Sequence, residues 1–196
     1  ALFNAGAVMY FSVDISGELP KVTIVVGEDT WEYTYTSLAE DEIAHADAKM
    51  YFSIVPGNCP TLVISKAPVD EPVVPPVEPE EPAERPGLDG EVIELDDYMT
   101  WGDNGTVTLD STTTSVESAV IGYSKTVTVR MQSQSDGSSG IYVMLGSYGF
   151  YHRGGQFRMM KRSANGAMAQ DGSISGISPA LFNAGAVMYF SVDISG

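Results

Sequence analysis

The sequence predicts an all-β fold, an antiparallel β-sandwich with one short helix and a polyproline-rich linker, and three observations predict it. Runs of β-branched and aromatic residues alternating with polar ones recur at short intervals through almost the whole chain. Turn-forming residues punctuate those runs at Asp103-Asn104-Gly105, Asp136-Gly137, Gly154-Gly155, Asn165-Gly166, Asp171-Gly172 and Gly57-Asn58. One stretch breaks the pattern: from Ala67 to Gly87 seven of the eleven prolines are gathered with six acidic residues.

Taken in order, VMYFSVDI at the start of the chain and KVTIVV from Lys21 flank Ile15-Ser16-Gly17-Glu18-Leu19-Pro20, so they are expected to pair as an antiparallel hairpin. TWEYTYT, KMYFSIV and TLVISK follow as strands. Between them Ser37 to Lys49 is the one segment with helical character, with Ser37 as its cap and Glu40 at the capping-box spacing. Proline removes amide donors while like charges stretch the chain, so Ala67 to Gly87 is expected to be an extended linker. Beyond it the expected strands are EVIEL, TVTLD, SAVIGYS, TVTVRMQSQ, GIYVMLGS, GFYHRG, QFRMMKR and a second VMYFSVDI. Val127, Val129 and Met131 alternate with Thr126, Thr128 and Arg130, which suits a strand with one buried face. Ser111 to Ser115 and Ser133 to Gly140 read as exposed loops.

The second VMYFSVDI belongs to a longer identity. ALFNAGAVMYFSVDISG occupies Ala1 to Gly17 and recurs without a change from Ala180 to Gly196, a period of 179 residues. Two physical readings follow: one period plus an overlap from a tandem array, or a strand duplicated so that one copy completes its own domain and the other a neighbour's. In the array reading residues 1–66 are the C-terminal part of one repeat, 67–87 the linker, and 88–196 the N-terminal part of the next. Read across the junction, a complete domain would hold 158 residues. Alternatively the two halves close on each other, with 67–87 as a long loop.

Composition bounds the function. The 196 residues, 43% of them hydrophobic, suffice for one sizeable core. A net charge of -16 repels phosphate backbones and anionic lipid heads, so neither nucleic acid nor a membrane surface is an expected partner, and no apolar run is long enough to span a bilayer. A single cysteine excludes an intramolecular disulfide. Beginning at Ala1, the chain reads as a processed or excised piece.

The order of GIYVMLGSYGFYHRGGQFRMMKR, then VMYFSVDISGELPKVTIVVGEDTWEYTY, then a short helix and KMYFSIV resembles the concanavalin-like, laminin-G-like jelly roll. That resemblance implies two twisted antiparallel sheets with a concave face, used in the superfamily for carbohydrate binding, protein adhesion or, in some branches, glycoside hydrolysis. Hydrolysis needs two carboxylates flanking the scissile bond. Glu94 and Asp96 share a strand face, and with Asp97 they resemble part of the hydrolase branch's E-x-D-x-x-E strand, but Tyr98, Met99 and Thr100 follow and the second glutamate is missing. Cys59 has only His45 and His152 as imidazoles in the chain, and it reads as an idle thiol. No catalytic residue, metal ligand or cofactor is therefore assigned. Asn104-Gly105-Thr106 fits the N-glycosylation sequon, although Asn-Gly is equally a hairpin turn.

One cationic island remains on this acidic chain. Arg153, Arg158, Lys161 and Arg162 supply four of the ten basic residues, beside His152 and the aromatics Tyr148, Phe150, Tyr151 and Phe157. It complements the linker's own Glu78, Glu80, Glu81 and Glu84, which predicts docking of the linker beside it. Exposed ion pairs contribute about 0–1 kcal/mol each, so Val73, Val74 and Val77 are expected to supply most of that docking by apolar burial. Tyrosine faces beside arginines also suit a sugar. The expected function is a structural or adhesive repeat of an extracellular or cell-surface filament whose partners are neighbouring copies of itself; the alternatives are a carbohydrate-binding module, a strand-exchanged fibre subunit or, further off, a glycoside hydrolase.

Overall fold

A computed structural model describes residues 8–26, 29–44, 47–55, 61–66, 91–93, 106–110, 115–118, 125–133, 140–153, 156–175 and 187–193. Along the chain come β1 (Val8–Asp14), β2 (Lys21–Val26), β3 (Asp29–Thr34), β4 (Met50–Ile54), β5 (Thr61–Lys66), β6 (Glu91–Ile93) and β7 (Thr106–Asp110). They are followed by β8 (Ser115–Glu117), β9 (Lys125–Ser133), β10 (Ile141–Leu145), β11 (Tyr148–Arg153), β12 (Gln156–Arg162), β13 (Met168–Ile174) and β14 (Val187–Asp193). The described residues are mostly β-strand in antiparallel sheets, with almost no helix among them.

The first sheet has the order β3-β2-β1-β14-β9-β5-β7, with β6 also on β9; the second has the order β13-β12-β11-β10-β4-β8. Every pairing is antiparallel except β1 with β14 and β6 with β9. Strands from before and after residues 67–87 interleave in both sheets, since β4 lies between β10 and β8 and β5 between β9 and β7. The expected hairpin forms, with Met9 opposite Val26 and Asp14 opposite Lys21. Its loop opens on an Asx-type turn, in which the Asp14 carboxylate accepts from the Ser16 amide at 2.9 Å and the Ser16 hydroxyl at 2.7 Å. Those bonds hold the Asp14 carboxyl below its usual range.

Alternation decides which side chains become core. On β10, Ile141, Val143 and Leu145 are buried on one face, and they meet Phe52 and Ile54 of β4, Phe150 of β11 and Phe157 and Met159 of β12. Val13, Val22, Ile24, Ile64 and Leu109 of the first sheet belong to the same buried cluster. Each large side chain buried there contributes roughly 1.5–3 kcal/mol by removal from water. The β10–β11 turn is only Gly146-Ser147, and Gly146 takes a φ of 55°, a conformation open to glycine at the first central position of a tight hairpin turn.

Three expectations need correction. The described part of Ser37–Lys49 forms turns, a bridge between Glu42 and Ser163 and a single 3-10 turn in which the Asp47 amide donates to the Ala44 carbonyl at 2.8 Å, not an amphipathic α-helix. Its amides go to side chains of the second sheet, Ala39 donating to the Tyr148 hydroxyl and Ile43 to Ser147 Oγ, so tertiary bonds replace the i to i−4 ladder. Asp171-Gly172, expected as a turn, lies inside β13, and Ser115, expected in a loop, begins β8.

Candidate functional site

The chain along β13 is small and polar, MAQDGSI, and pairs with β12 through a β-bulge. Met159 faces Gly172 and Met160 faces Gln170, so Asp171 is the extra residue. Its carboxylate accepts hydrogen bonds from the Tyr33 hydroxyl (2.8 Å), the Thr36 amide (2.8 Å) and the Thr36 hydroxyl (2.8 Å), and it pairs with Lys161 Nζ at 2.7 Å. Burial raises its pKa, but these four donors outweigh burial and hold it down at about 2. Lys161 Nζ also donates to Ser37 Oγ at 2.7 Å. Tyr33 belongs to the first sheet and Asp171 to the second, so the cluster is a clasp between sheets. Burial, reinforced by the neighbouring carboxylate, pushes the Tyr33 phenol up to about 12. Gly172 makes room for that phenol, for a Cβ there would lie 2.1 Å from its oxygen.

Beside the clasp, Tyr35 is 1% exposed. Its hydroxyl receives the Gly149 amide at 3.0 Å and lies 2.9 Å from the Gly149 carbonyl and 3.1 Å from that of Met160, so it bridges residues that face each other across β11 and β12. Burial raises its pKa, against the opposing hydrogen bond to Gly149. The ring meets Tyr33 edge-on at 5.3 Å and Tyr148 at 4.8 Å. Tyr148 donates to Glu42 at 2.5 Å, and burial is the largest reason its pKa rises. All these polar groups have partners within the fold, so the clasp fixes geometry and does not offer a free base.

The opposite face of the second sheet carries a different assembly. Tyr142 of β10 stacks on Tyr151 of β11 with centroids 4.3 Å apart and planes 24° from parallel. The Arg158 guanidinium lies 5.9 Å from the Tyr151 centroid, and that of Arg162 lies 4.2 Å from the Tyr51 centroid. Arg162 also pairs with Glu117 of β8. Met144, Met160, Val55 and Met168 pack among these rings. Gly140 leaves space for the Tyr151 hydroxyl, since a Cβ there would stand 2.8 Å from it. Burial first, then the neighbouring phenols, raise the Tyr142 pKa. Tyr151, Met144 and Met160 are buried within this strip, and Tyr51 and Tyr142 are its half-buried aromatic faces beside guanidinium donors, a combination suited to a planar or ring-shaped ligand carrying hydroxyls or carboxylates.

The pleat therefore divides the residues that the sequence grouped as one island. Tyr151, Arg158 and Arg162 share the outer face, where Tyr51 and Tyr142 join them. Tyr148, Phe150, His152 and Phe157 are buried on the core side, and Lys161 turns to the clasp. His152 is 0% exposed and meets Phe157 at 5.3 Å, and burial pushes its imidazole down to about 4, so it is neutral near pH 7. Arg153 ends β11 opposite Gln156. The linker residues Val73, Val74, Val77, Glu78, Glu80, Glu81 and Glu84 lie outside the described residues, as do Asn104, Cys59, His45, Glu94, Asp96 and Asp97. Sequence reasoning missed Asp171, Tyr33, Tyr35, Tyr51 and Tyr142. For the two outer tyrosines a signal existed: Tyr51 and Tyr142 are out of phase with the buried residues of their own strands. For Asp171 none did, because its partners Tyr33 and Thr36 are 138 and 135 residues away.

No protein-family model, no curated protein and no solved structure matches this chain.

Proposed function

We propose that this chain is a structural and adhesive repeat unit of an extracellular or cell-surface filament, a jelly-roll sandwich of concanavalin-like type whose partners are neighbouring copies of itself. The duplication carries this reading: one 17-residue sequence occurs twice, and β1 and β14, which lie within its two copies, are adjacent strands of one sheet. A domain needs one such strand, and a polymer has use for two. A unit read across the repeat junction, 88–196 followed by the equivalent of 18–66, contains one copy and keeps every other pairing of the sheets. Residues 67–87 then space successive units, with Val73, Val74 and Val77 docking on a neighbour and Glu78 to Glu84 near its basic groups. No residue is given a catalytic role. Sedimentation velocity and electron microscopy of the purified chain over a wide range of concentration test this: filaments or a growing series of oligomers are expected, and a monomer at every concentration overturns it.

The outer tyrosine and arginine strip favours a second reading, a carbohydrate-binding module within the same assembly. Tyr51 and Tyr142 would stack on pyranose faces, with Tyr151 buried behind Tyr142 as its support, while Arg158 and Arg162 reach hydroxyls or carboxylates. A glycan array repeated with Tyr142→Ala separates the readings, for a sugar that binds the parent chain and not the variant supports the module.

A further inference from the structure

We infer that the slot occupied by β1, between β2 and β14, is the contact through which a second copy of this chain is joined, by exchange of β1. The inference rests on the filament reading and adds to it the strand, the slot and the hinge.

Four observations carry it. First, β1 and β14 share the sequence VMYFSVD, so a slot specified by pairing to one is specified for the other. Secondly, they run in the same direction, and each is antiparallel to its remaining neighbour, β1 to β2 and β14 to β9. An incoming β1 from another copy therefore finds the polarity of both walls already set. Thirdly, the identical strands are slipped by two residues, Val8 lying opposite Tyr189, the equivalent of Tyr10, and Met9 opposite Phe190, the equivalent of Phe11. A slip of two preserves the alternation of faces, where a slip of one would reverse it, so a β1 entering from another copy in this register keeps the same residues facing the core. Fourthly, β1 leads into the rest of the fold through the bends at Ser16 to Leu19, all exposed, with Leu19 at 37%. A hinge there swings β1 out without disturbing Pro20, which is buried and whose carbonyl accepts the Tyr35 amide at 2.9 Å.

Exchange at this slot keeps every strand pairing of the fold and changes only which chain supplies β1. The side of β1 away from β2 meets the side of β14 away from β9, two different surfaces, so one-way exchange from copy to copy extends head-to-tail as an open chain, whereas reciprocal exchange between two copies closes a dimer, and the filament reading selects the former.

The test places cysteines at Ser12 and Thr23, which are register partners across β1 and β2, in a chain also carrying Cys59→Ser. After assembly and mild oxidation, exchanged strands give a covalent ladder of dimers, trimers and higher species on a non-reducing gel, and an excess of peptide 1–17, but not a scrambled peptide, shortens it. Assembly by sedimentation with only monomer on the gel overturns the exchange and leaves the filament reading standing. No assembly and only monomer on the gel overturns both. If Ser12→Cys/Thr23→Cys/Cys59→Ser does not fold, the unsubstituted chain is incubated with biotinylated peptide 1–17: incorporation in proportion to assembled material supports the exchange, and none overturns it.

Discussion

Strands β10 to β13 follow one another through short connections, each pairing with the next, whereas the first sheet brings together β1 and β14, which begin 179 residues apart. In the second sheet register is held several times over. The glycine turn at Gly146, the alternation of Ile141, Val143 and Leu145, the Tyr35 bridge and the Asp171 clasp all require the same pairing. At the centre of the first sheet, two copies of VMYFSVD lie side by side with a two-residue slip, a register that keeps the alternation of faces but is fixed by no short turn between the two strands. The difference teaches that within one sandwich-like chain a half whose register is fixed several times over can stand beside a half whose register is fixed by fewer constraints.

Substitutions in the rigid half are the way to break this contrast, and Gly149→Ala should have the largest effect. A Cβ at Gly149 would fall 2.2 Å from the Val143 carbonyl oxygen and 2.6 Å from the Met144 Cα, both backbone atoms that cannot step aside without opening the β10–β11 pair. A loss of about 3 kcal/mol or more is expected in urea unfolding, or failure to fold at all. Wild-type stability would show that the hairpin is as tolerant as the β1/β14 ladder. Asp171→Ala comes next. It strands the Lys161 ammonium and the Tyr33 and Thr36 donors, with an expected loss of about 2–4 kcal/mol. Asp171→Asn should recover part of this, since it keeps the shape without the charge.

Acid sharpens the comparison without mutation. His152 is buried neutral with its pKa pushed down to about 4, so the unfolded chain takes up the proton first. Stability is therefore full above pH ~6.5 and falls as the pH drops toward 4, by a total on the order of 3 kcal/mol. His152→Leu should flatten that window whatever its own effect on stability. Asp171 acts lower: its depressed pKa stabilises the fold above pH ~3.9 and that contribution disappears as the pH falls toward 2. A single unfolding transition with no slope between pH 6.5 and 4 would place His152 in water. The smallest effect is expected from Arg162→Gln, which removes one partly exposed ion pair and one cation–π contact and should shift stability by only about 0.5–1.5 kcal/mol. A larger loss would mean that the outer strip is part of the stabilising framework.

Much of this was legible because strand signals are local. The runs KVTIVV, GIYVML and QFRMMKR each carry their own concentration of apolar residues bounded by turn residues, and the β1–β2 hairpin is announced by its turn. β13 was not legible, for MAQDGSI has neither β-branched density nor alternation and holds an Asp-Gly pair that elsewhere makes a turn. Its pairing is imposed by β12 and by the bulge that turns Asp171 inward. The segment after Ser37 misled in the other direction. Its capping residues are real local signals, yet Ser37 accepts from Lys161 and Ala39 donates to Tyr148, partners more than a hundred residues away that no local pattern contains. Within the cationic island the pleat sorts Arg158 and Arg162 to one face of the second sheet and Lys161 to the other, a division that closeness in sequence does not reveal.

The parallel course of β1 and β14 also determines how the molecule bears load. Val8 begins the ladder at one end, opposite Tyr189, and Asp193 finishes it at the other, opposite Ser12. Tension applied outward at those two points slides the strands lengthwise, so every rung resists together, whereas strands pulled from one shared end would part rung by rung. Single-molecule pulling between residues 8 and 193 should therefore need a higher rupture force than pulling between residues 8 and 187, and equal forces would contradict this geometry. A unit strung in a fibre through these ends would meet stretching in its strongest direction, and the same ladder would still open by peeling when no tension is applied.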